Sequence, residues 1–198
     1  MSEVYFKKVQ FVGSFLQAPT RLELPQFVFC GRSNVGKSSL INALVNQKIA
    51  NVSKTPGKTT TINAFIVDEK FYLIDVPGYG FAKRSKSMIN AWKKPIEDYL
   101  LNANMLQIVF LLIDARVSLM ISDELFLEWL NYNNLNTVVL LTKIDKASQS
   151  QLALTKKHLQ KFNLQYIQTS SFSKKGIDKL AQLIMQACDI GFNLELFS

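Results

Sequence analysis

One short motif constrains the fold of this chain more than any other feature. Residues 31–38 read Gly-Arg-Ser-Asn-Val-Gly-Lys-Ser, which fits the pattern G-x-x-x-x-G-K-S. An apolar run over residues 26–30 precedes the motif, and apolar residues at the spacing of one helix face follow it over residues 40–45. A strand, a glycine-rich loop and a helix in this order predict a phosphate-binding P-loop, because the loop amides and the helix N-terminus attract phosphate oxygens.

The P-loop gives two side chains a predicted chemical role. Lys37 is expected to reach the β and γ phosphates of a nucleoside triphosphate, and the Ser38 hydroxyl is expected to ligate Mg²⁺ directly. A glycine-rich turn without a ligand is the alternative, but the strand and helix that flank the motif disfavour it. We expect the nucleotide to be lined by Gly31, Arg32, Ser33, Asn34, Val35, Gly36, Lys37, Ser38 and Ser39.

A second motif, Asp-Val-Pro-Gly over residues 75–78, ends a predicted strand. We expect the Asp75 carboxylate to hold the water shell of Mg²⁺ and the Gly78 amide to face the γ-phosphate. A strand that ends in a Pro-Gly turn is common, so this pattern indicates a nucleotide-binding site only because it follows a P-loop. The predicted site residues of this motif are Asp75, Val76, Pro77 and Gly78.

A third motif, Thr142-Lys143-Ile144-Asp145, follows another predicted strand. It resembles the T-K-x-D motif of GTPases, in which the carboxylate accepts hydrogen bonds from guanine N1 and the exocyclic amine. Adenine cannot supply that pair of donors, so the motif favours GTP over ATP. After the next strand, the stretch Thr169, Ser170 and Ser171 is expected to supply a backbone amide to guanine O6.

A run of hydroxyl side chains lies between the first two motifs, over residues 55–61. One threonine there should complete the Mg²⁺ shell when the γ-phosphate is present and leave it after hydrolysis, and we choose Thr59. A solvent-facing edge strand is the alternative for Thr60 and Thr61. The site residues predicted in this run are Gly57, Lys58, Thr59, Thr60 and Thr61.

Short apolar runs alternate with segments of helical period along the chain, which predicts an α/β fold around a mostly parallel sheet with helices on both faces. Six strands are expected, over residues 26–30, 61–67, 70–75, 107–114, 137–142 and 166–169. The second and third are joined by Asp68-Glu69 and should form an antiparallel hairpin at the sheet edge. Residues 1–24 are expected to pack on a single domain that spans residues 25–198.

Composition narrows the class of protein. Lys and Arg number 23 against 15 Asp and Glu, a net charge of +8 that favours a polyanionic partner such as nucleic acid. Two widely separated cysteines, Cys30 and Cys188, form no disulfide framework and favour a reducing compartment. The N-terminus lacks the apolar core of a signal peptide, and the longest apolar run is too short to span a membrane. We therefore expect a cytoplasmic monomer.

Positive charge is concentrated over residues 48–94, a range that we call the basic block. It holds nine basic and three acidic side chains, a balance of +6. Because the block contains both the threonine run and the D-x-x-G motif, a nucleotide-dependent rearrangement would also change its affinity for RNA. Lysines that are merely solvated are the alternative reading.

The motifs together resemble one family closely. Their order is that of the translation-factor-related GTPases, and the match extends to the EngB (YihA/YsxC) family of bacterial ribosome-biogenesis GTPases, among the TrmE-Era-EngA-YihA-septin-like GTPases. The resemblance covers nearly the whole chain and is carried by residues 31–44, 55–59, 75–83 and 142–146, with Trp92, Tyr99, Asp114-Ala-Arg116, Asp123 and Trp129-Leu130. The chain departs from the family at Thr60, where Gln is usual, and at residues 117–119, where a His-x-Pro run is usual.

The resemblance implies a P-loop G domain that requires Mg²⁺ and acts late in assembly of the large (50S) ribosomal subunit. It also implies a link to cell division and septation. The implied ligands are GTP and GDP, and the implied partner is ribosomal RNA or protein of the large subunit.

Catalysis is expected to be slow. Many GTPases place a Gln after D-x-x-G to orient the attacking water, whereas this chain has Tyr79. A partner could supply what is missing, or K⁺ could, because in related GTPases an Asn at the position of Asn34 helps to hold K⁺ near the phosphates. A loop-stabilising role for Asn34 is the equal alternative. The catalytic residues we predict are Lys37, Thr59, Gly78 and Asn34.

Two other functions stay open at this point. A P-loop kinase or ATPase would prefer ATP, and Asp145 argues against it. A GTP-binding interaction module of septum assembly without significant turnover is favoured by Tyr79.

Overall fold

A mixed sheet forms the centre of this computed structural model, which describes residues 5–17, 22–51, 61–79 and 86–190, without the side chains of 86–93 and 190. The strands are β1 (Val9–Phe15), β2 (Gln26–Gly31), β3 (Ile62–Val67), β4 (Phe71–Asp75), β5 (Leu106–Asp114), β6 (Thr137–Thr142) and β7 (Tyr166–Gln168). Their order across the sheet is β1-β3-β4-β2-β5-β6-β7. The helices are α1 (Lys37–Val45), α2 (Lys86–Asn102), α3 (Ile121–Tyr132), α4 (Gln149–Gln160) and α5 (Ile177–Ile190).

The predicted fold class is confirmed, with one correction to the strand count. Strands β4, β2, β5, β6 and β7 pair in parallel, and β3 forms the predicted antiparallel hairpin with β4. The sheet has seven strands where six were predicted, because β1 pairs antiparallel with β3 and becomes the edge. Backbone amides of Lys7 and Lys8 donate to the Asp68 carboxylate at 2.7–3.2 Å, which holds β1 to the hairpin turn. The N-terminal segment thus adds a strand to the sheet, and the division into residues 1–24 and 25–198 stays a prediction.

Helices cover both faces of the sheet, as predicted. Alternate residues of a strand point to opposite faces, so Phe27 and Phe29 of β2 lie in the core under α1 and α5. Val28 and Cys30 lie in the second core, under α2, α3 and α4. Every residue of β2 is buried, which fixes the strand that leads into the P-loop.

Helices α2 and α3 pack on the same face of the sheet. Helix α2 runs from Lys86 to Asn102 and includes Pro95. Helix α3 begins at Ile121. The Asp123 carboxylate accepts from the Met120 amide at 3.0 Å and so satisfies the first exposed donor of that helix.

The parallel strands bring the predicted motifs to one edge of the sheet. Gly31, Asp75, Asp114 and Thr142 are the last residues of β2, β4, β5 and β6. Ligands of open α/β sheets bind outside the carboxyl ends of the strands, so this edge is the place to look for a site.

Candidate nucleotide-binding site

The P-loop leaves β2 through a glycine that no other residue can easily replace. Gly31 has a φ of +150°, and a Cβ there would lie 2.8 Å from the Leu112 carbonyl oxygen. Thr142 donates its hydroxyl to the Val35 carbonyl at 2.8 Å, which ties the loop to the end of β6. Gly36 precedes α1, and no side chain of the described residues caps that helix. The amides of its first turn are therefore available to phosphate oxygens.

The Lys37 ammonium group is held inside the loop. The side chain is buried, and its Nζ donates to the carbonyls of Gly31 at 3.2 Å and Arg32 at 3.4 Å. Burial lowers the pKa of Lys37, while the nearby Asp75 carboxylate opposes that shift. The geometry matches a lysine that is held across the loop to meet phosphate charge.

Ser38 and Asp75 form a pair of oxygen donors at the foot of the loop. The Ser38 hydroxyl donates to Asp75 Oδ2 at 2.8 Å, and Asp75 is only 2% exposed. Asp75 Oδ1 is buried and has no hydrogen-bond partner among the described residues. Burial raises the pKa of Asp75, and Lys37 and Ser38 counteract it. A hydroxyl beside an under-satisfied carboxylate fits a hard divalent cation such as Mg²⁺.

Asp145 and Ser170 meet at the far side of the same edge. Asp145 is exposed, and its Oδ1 accepts from the Ser170 hydroxyl at 2.6 Å. Ser170 is fully buried, and its Oγ accepts from the amides of Phe172 at 3.2 Å and Ser173 at 3.0 Å. Ser170 thereby orients the Asp145 carboxylate, whose role in base recognition stays a prediction.

The backbone amides of Thr169 and Ser170 already have acceptors within the protein, which reduces the candidate donors to guanine O6. The Ser170 amide donates to the Lys175 carbonyl at 3.0 Å and so serves the fold. Thr169 likewise donates its amide to the Leu141 carbonyl at 2.7 Å. Within the stretch predicted to contact guanine O6, Ser171 is the remaining donor, and its role stays a prediction.

Lys143 connects the T-K-x-D motif to the P-loop. Its Nζ donates to the Asn34 carbonyl at 2.6 Å and to Asp114 Oδ2 at 2.9 Å. Arg116 also donates to the Asp114 carboxylate, from Nε to Oδ1 at 2.9 Å and from Nη2 to Oδ2 at 2.7 Å. Although burial opposes it, these hydrogen bonds lower the pKa of Asp114 to about 2. Asp114 is thus a fixed anion that holds Lys143 over the loop.

The D-x-x-G segment lies directly on the P-loop. A Cβ on Gly78 would lie 2.8 Å from the Ser33 nitrogen and 3.0 Å from Lys37 Nζ, so glycine is required by close approach. The Ser33 amide donates to the Tyr79 carbonyl at 3.0 Å, and the Ser33 hydroxyl donates to the Gly78 carbonyl at 3.3 Å. The two motifs that should sense the γ-phosphate are therefore in contact with each other.

Known proteins match this chain over most of its length. The profile of a family described as "50S ribosome-binding GTPase" matches residues 26–143. A probable GTP-binding protein EngB from Aquifex aeolicus (strain VF5) is 46% identical over 156 residues, which are 78% of this chain and 85% of that protein. One from Thermotoga maritima is 47% identical over 164 residues, covering 80% and 84%. The chain belongs to the EngB family.

A solved structure agrees with the EngB assignment. The crystal structure of a probable GTP-binding protein engB matches with a TM-score of 0.67 and 27% identity, over 82% of this chain and 98% of that one. As an EngB-family GTPase, the protein binds guanine nucleotides and hydrolyses GTP. None of the helices in the described ranges is long and apolar enough to cross a membrane.

Several EngB-type residues predicted for the site lie outside the described residues. These are Gly57, Lys58, Thr59 and Thr60, so the predicted threonine ligand of Mg²⁺ stays a prediction. Thr61 lies just before β3, where its hydroxyl donates to Asn63 at 3.3 Å. Most basic side chains of the basic block also fall outside the description.

Asp123 carries part of the family resemblance, but sequence reasoning gave it no role at this EngB site. Asp123 is fully buried, and its Oδ1 accepts from the Tyr79 hydroxyl at 2.9 Å. Its Oδ2 lies 3.1 Å from Arg32 Nε. The signal was an acidic residue three positions before Phe126 and seven before Leu130, on the apolar face of α3.

Tyr79 itself is turned toward α3. Its ring packs against Phe126 with centroids 5.1 Å apart, and its hydroxyl is committed to Asp123. Burial raises the pKa of Tyr79 well above its usual value, and the Asp123 carboxylate adds to the shift. In this arrangement the hydroxyl proton of Tyr79 is donated to Asp123, so it is not directed at a water molecule beside the phosphates.

Proposed function

We propose that this protein is a Mg²⁺-dependent GTPase switch that acts in late assembly of the large (50S) ribosomal subunit. The observation that carries the proposal is the joining of three motifs at one sheet edge: the P-loop, the Ser38–Asp75 pair and the Asp145–Ser170 pair. The ribosomal partner is supported by the description of the matching family. Because ribosomes are assembled in the cytoplasm, we place the protein there, as a monomer.

Guanine recognition follows from Asp145. Its Oδ1 is held by Ser170, and the carboxylate as a whole carries the negative charge that attracts N1–H and the exocyclic amine of guanine. Lys143 lies across the P-loop beside this position because Asp114 and the Asn34 carbonyl hold its ammonium group. The base site and the phosphate site are therefore one connected structure.

The phosphate end uses the P-loop amides and Lys37. When bound, Mg²⁺ would neutralise charge on the phosphates. We propose that Ser38 and Thr59 hold it directly and that Asp75 holds it through water. The buried, under-satisfied Asp75 oxygen supports this assignment. Gly78 would then offer its amide to the γ-phosphate, and release of phosphate would free the segment that follows it.

Hydrolysis should be slow without help. Tyr79 is bound to Asp123, so no side chain directly after Gly78 orients a water molecule. We propose that the large subunit, or K⁺ held with the help of Asn34, supplies the missing stabilisation. The same observation favours a second candidate, a GTP-binding module of septum assembly with insignificant turnover. A role in normal cell division and septation is part of the proposal in either case.

The basic block supports an RNA-rich partner. Its balance of +6 over residues 48–94 would attract phosphate groups, and both nucleotide-sensing segments lie within it. Binding of the γ-phosphate would therefore change the surface presented to RNA.

Co-sedimentation tests the proposal. The protein is mixed with purified 50S or 30S particles in the presence of a non-hydrolysable GTP analogue, GDP or no nucleotide. We expect binding to 50S in the triphosphate state and little binding to 30S. Equal binding to both particles in all three states would overturn the ribosomal part of the proposal. GTP turnover with and without 50S separates the switch from the module without turnover.

A further inference from the structure

Asp123 connects three parts of the site. It lies on α3, is fully buried and receives hydrogen bonds from the Tyr79 hydroxyl at 2.9 Å and the Met120 amide at 3.0 Å. Arg32, the second residue of the P-loop motif, places Nε 3.1 Å from the same carboxylate. A buried carboxylate with these partners is costly to remove and holds each of them in place.

The backbone carbonyl of Tyr79 accepts a hydrogen bond from a P-loop amide. Its carbonyl accepts from the Ser33 amide at 3.0 Å, and its own amide donates to the Gly31 carbonyl at 3.3 Å. P-loop amides serve to bind phosphate oxygens, so the Tyr79 carbonyl competes with a phosphate for Ser33.

The contact between Tyr79 and Ser33 also brings Gly78 close to the P-loop, where a γ-phosphate would bind. Gly78 is the residue whose amide should face the γ-phosphate, yet here it lies against Ser33 and Lys37 Nζ. A γ-phosphate needs room between Gly78 and the loop, whereas a diphosphate does not. The docked arrangement therefore disfavours GTP more than GDP.

We propose that Asp123 and Tyr79 form a latch that holds the D-x-x-G segment on the P-loop and so sets the preference between guanosine diphosphate and triphosphate. The inference rests on the proposed function, because it assumes that the site binds both nucleotides. Asp123 acts through Tyr79 and Arg32 and is a positioning residue. Opening the latch costs the Tyr79–Asp123 hydrogen bond and the packing on Phe126 before the γ-phosphate can be bound.

The first test variant is Tyr79→Phe, which keeps the ring on Phe126 and removes only the hydroxyl. Affinity for a non-hydrolysable GTP analogue should rise by roughly tenfold to a hundredfold, the effect of losing one hydrogen bond to a charged carboxylate. Affinity for GDP should change by less than about twofold. If the Tyr79 hydroxyl only supported the fold, its loss would lower the affinity for both nucleotides by the same factor. The ratio of the two dissociation constants is therefore the readout.

Asp123→Asn is the second variant, because it keeps an oxygen for Tyr79 but loses the charge that holds Arg32. It should shift the ratio in the same direction by a smaller factor than Tyr79→Phe, because the Tyr79 hydroxyl would then donate to a neutral amide oxygen instead of a carboxylate. The matched control is Tyr132→Phe on the same helix, where the ring is 84% exposed and the ratio should stay at the wild-type value.

The outcomes separate the latch from the proposed function. If the wild-type protein binds GDP and the analogue but Tyr79→Phe leaves their ratio unchanged, the latch is wrong and the proposed function stands. If the wild type binds neither nucleotide, both are wrong. A shift toward the analogue in Tyr79→Phe, absent in Tyr132→Phe, supports the latch.

Discussion

Replacing Asp145 by Asn should convert the base site from guanine to xanthine. The reason lies in Ser170, whose Oγ already accepts from the amides of Phe172 and Ser173. That hydroxyl can only donate to residue 145, as it does at 2.6 Å in the wild type. The oxygen of the new amide must therefore face Ser170, and its NH₂ group must face the base.

The size of the effect follows from the bonds that change. Guanine loses two hydrogen bonds to a charged acceptor, each worth about 1.5–3 kcal/mol, so GTP affinity should fall by roughly 10²- to 10⁴-fold. Xanthosine triphosphate presents an oxygen where guanine has an amine, and it should bind the variant more tightly than GTP. ATP should not displace the bound nucleotide from either the wild type or the variant.

The assay is competition of GTP, xanthosine triphosphate and ATP against a fluorescent guanine nucleotide. Asp98→Asn is the matched control, since Asp98 is exposed on α2 and should leave GTP preference intact. An Asp145→Asn variant that still prefers GTP would refute the assignment of base recognition to this residue.

Three further predictions concern the phosphate end and the basic block. Lys37→Ala and Ser38→Ala should each impair triphosphate binding or its dependence on Mg²⁺, measured by titration; normal behaviour of both would contradict the P-loop assignment. GTP turnover should rise when K⁺ replaces Na⁺ at equal ionic strength, and Asn34→Ala should abolish the difference; equal rates of the wild type in both salts would exclude the cation route. Neutralising the three basic side chains within residues 83–86 should weaken 50S binding without changing nucleotide affinity, and should lower the salt slope by about one unit per lost phosphate contact; an unaltered slope would make these side chains a solvated face.

Local patterns predicted most of the fold. The apolar runs of β2, β5 and β6 are buried on both faces of a parallel sheet, so their sequences alone are diagnostic. Strand β1 was missed because most of its residues are exposed and its place depends on pairing with β3 and on the Asp68 carboxylate. Those contacts lie about 60 residues away in sequence, and no local pattern indicates them.

In the candidate site, too, contacts between motifs could be predicted from the sequence, whereas contacts that depend on packing could not. The Ser38–Asp75 and Asp145–Ser170 pairs join motifs that could each be recognised from spacing, so their proximity was expected. The partner of Tyr79 was not expected, because its contact with Asp123 depends on where α3 packs against the segment that follows β4. Which backbone amide of residues 169–171 is left for a ligand likewise depends on the turn that follows β7, where Lys175 takes the Ser170 amide.

GTP turnover in the presence of ribosomal particles tests the central claim most directly. Phosphate release by the wild-type protein is measured alone, with 50S particles and with 30S particles, at saturating GTP and Mg²⁺. A slow rate alone that rises with 50S and not with 30S is the predicted result. A rate that 50S leaves unchanged, or that both particles raise equally, would contradict a GTPase switch that acts on the large subunit.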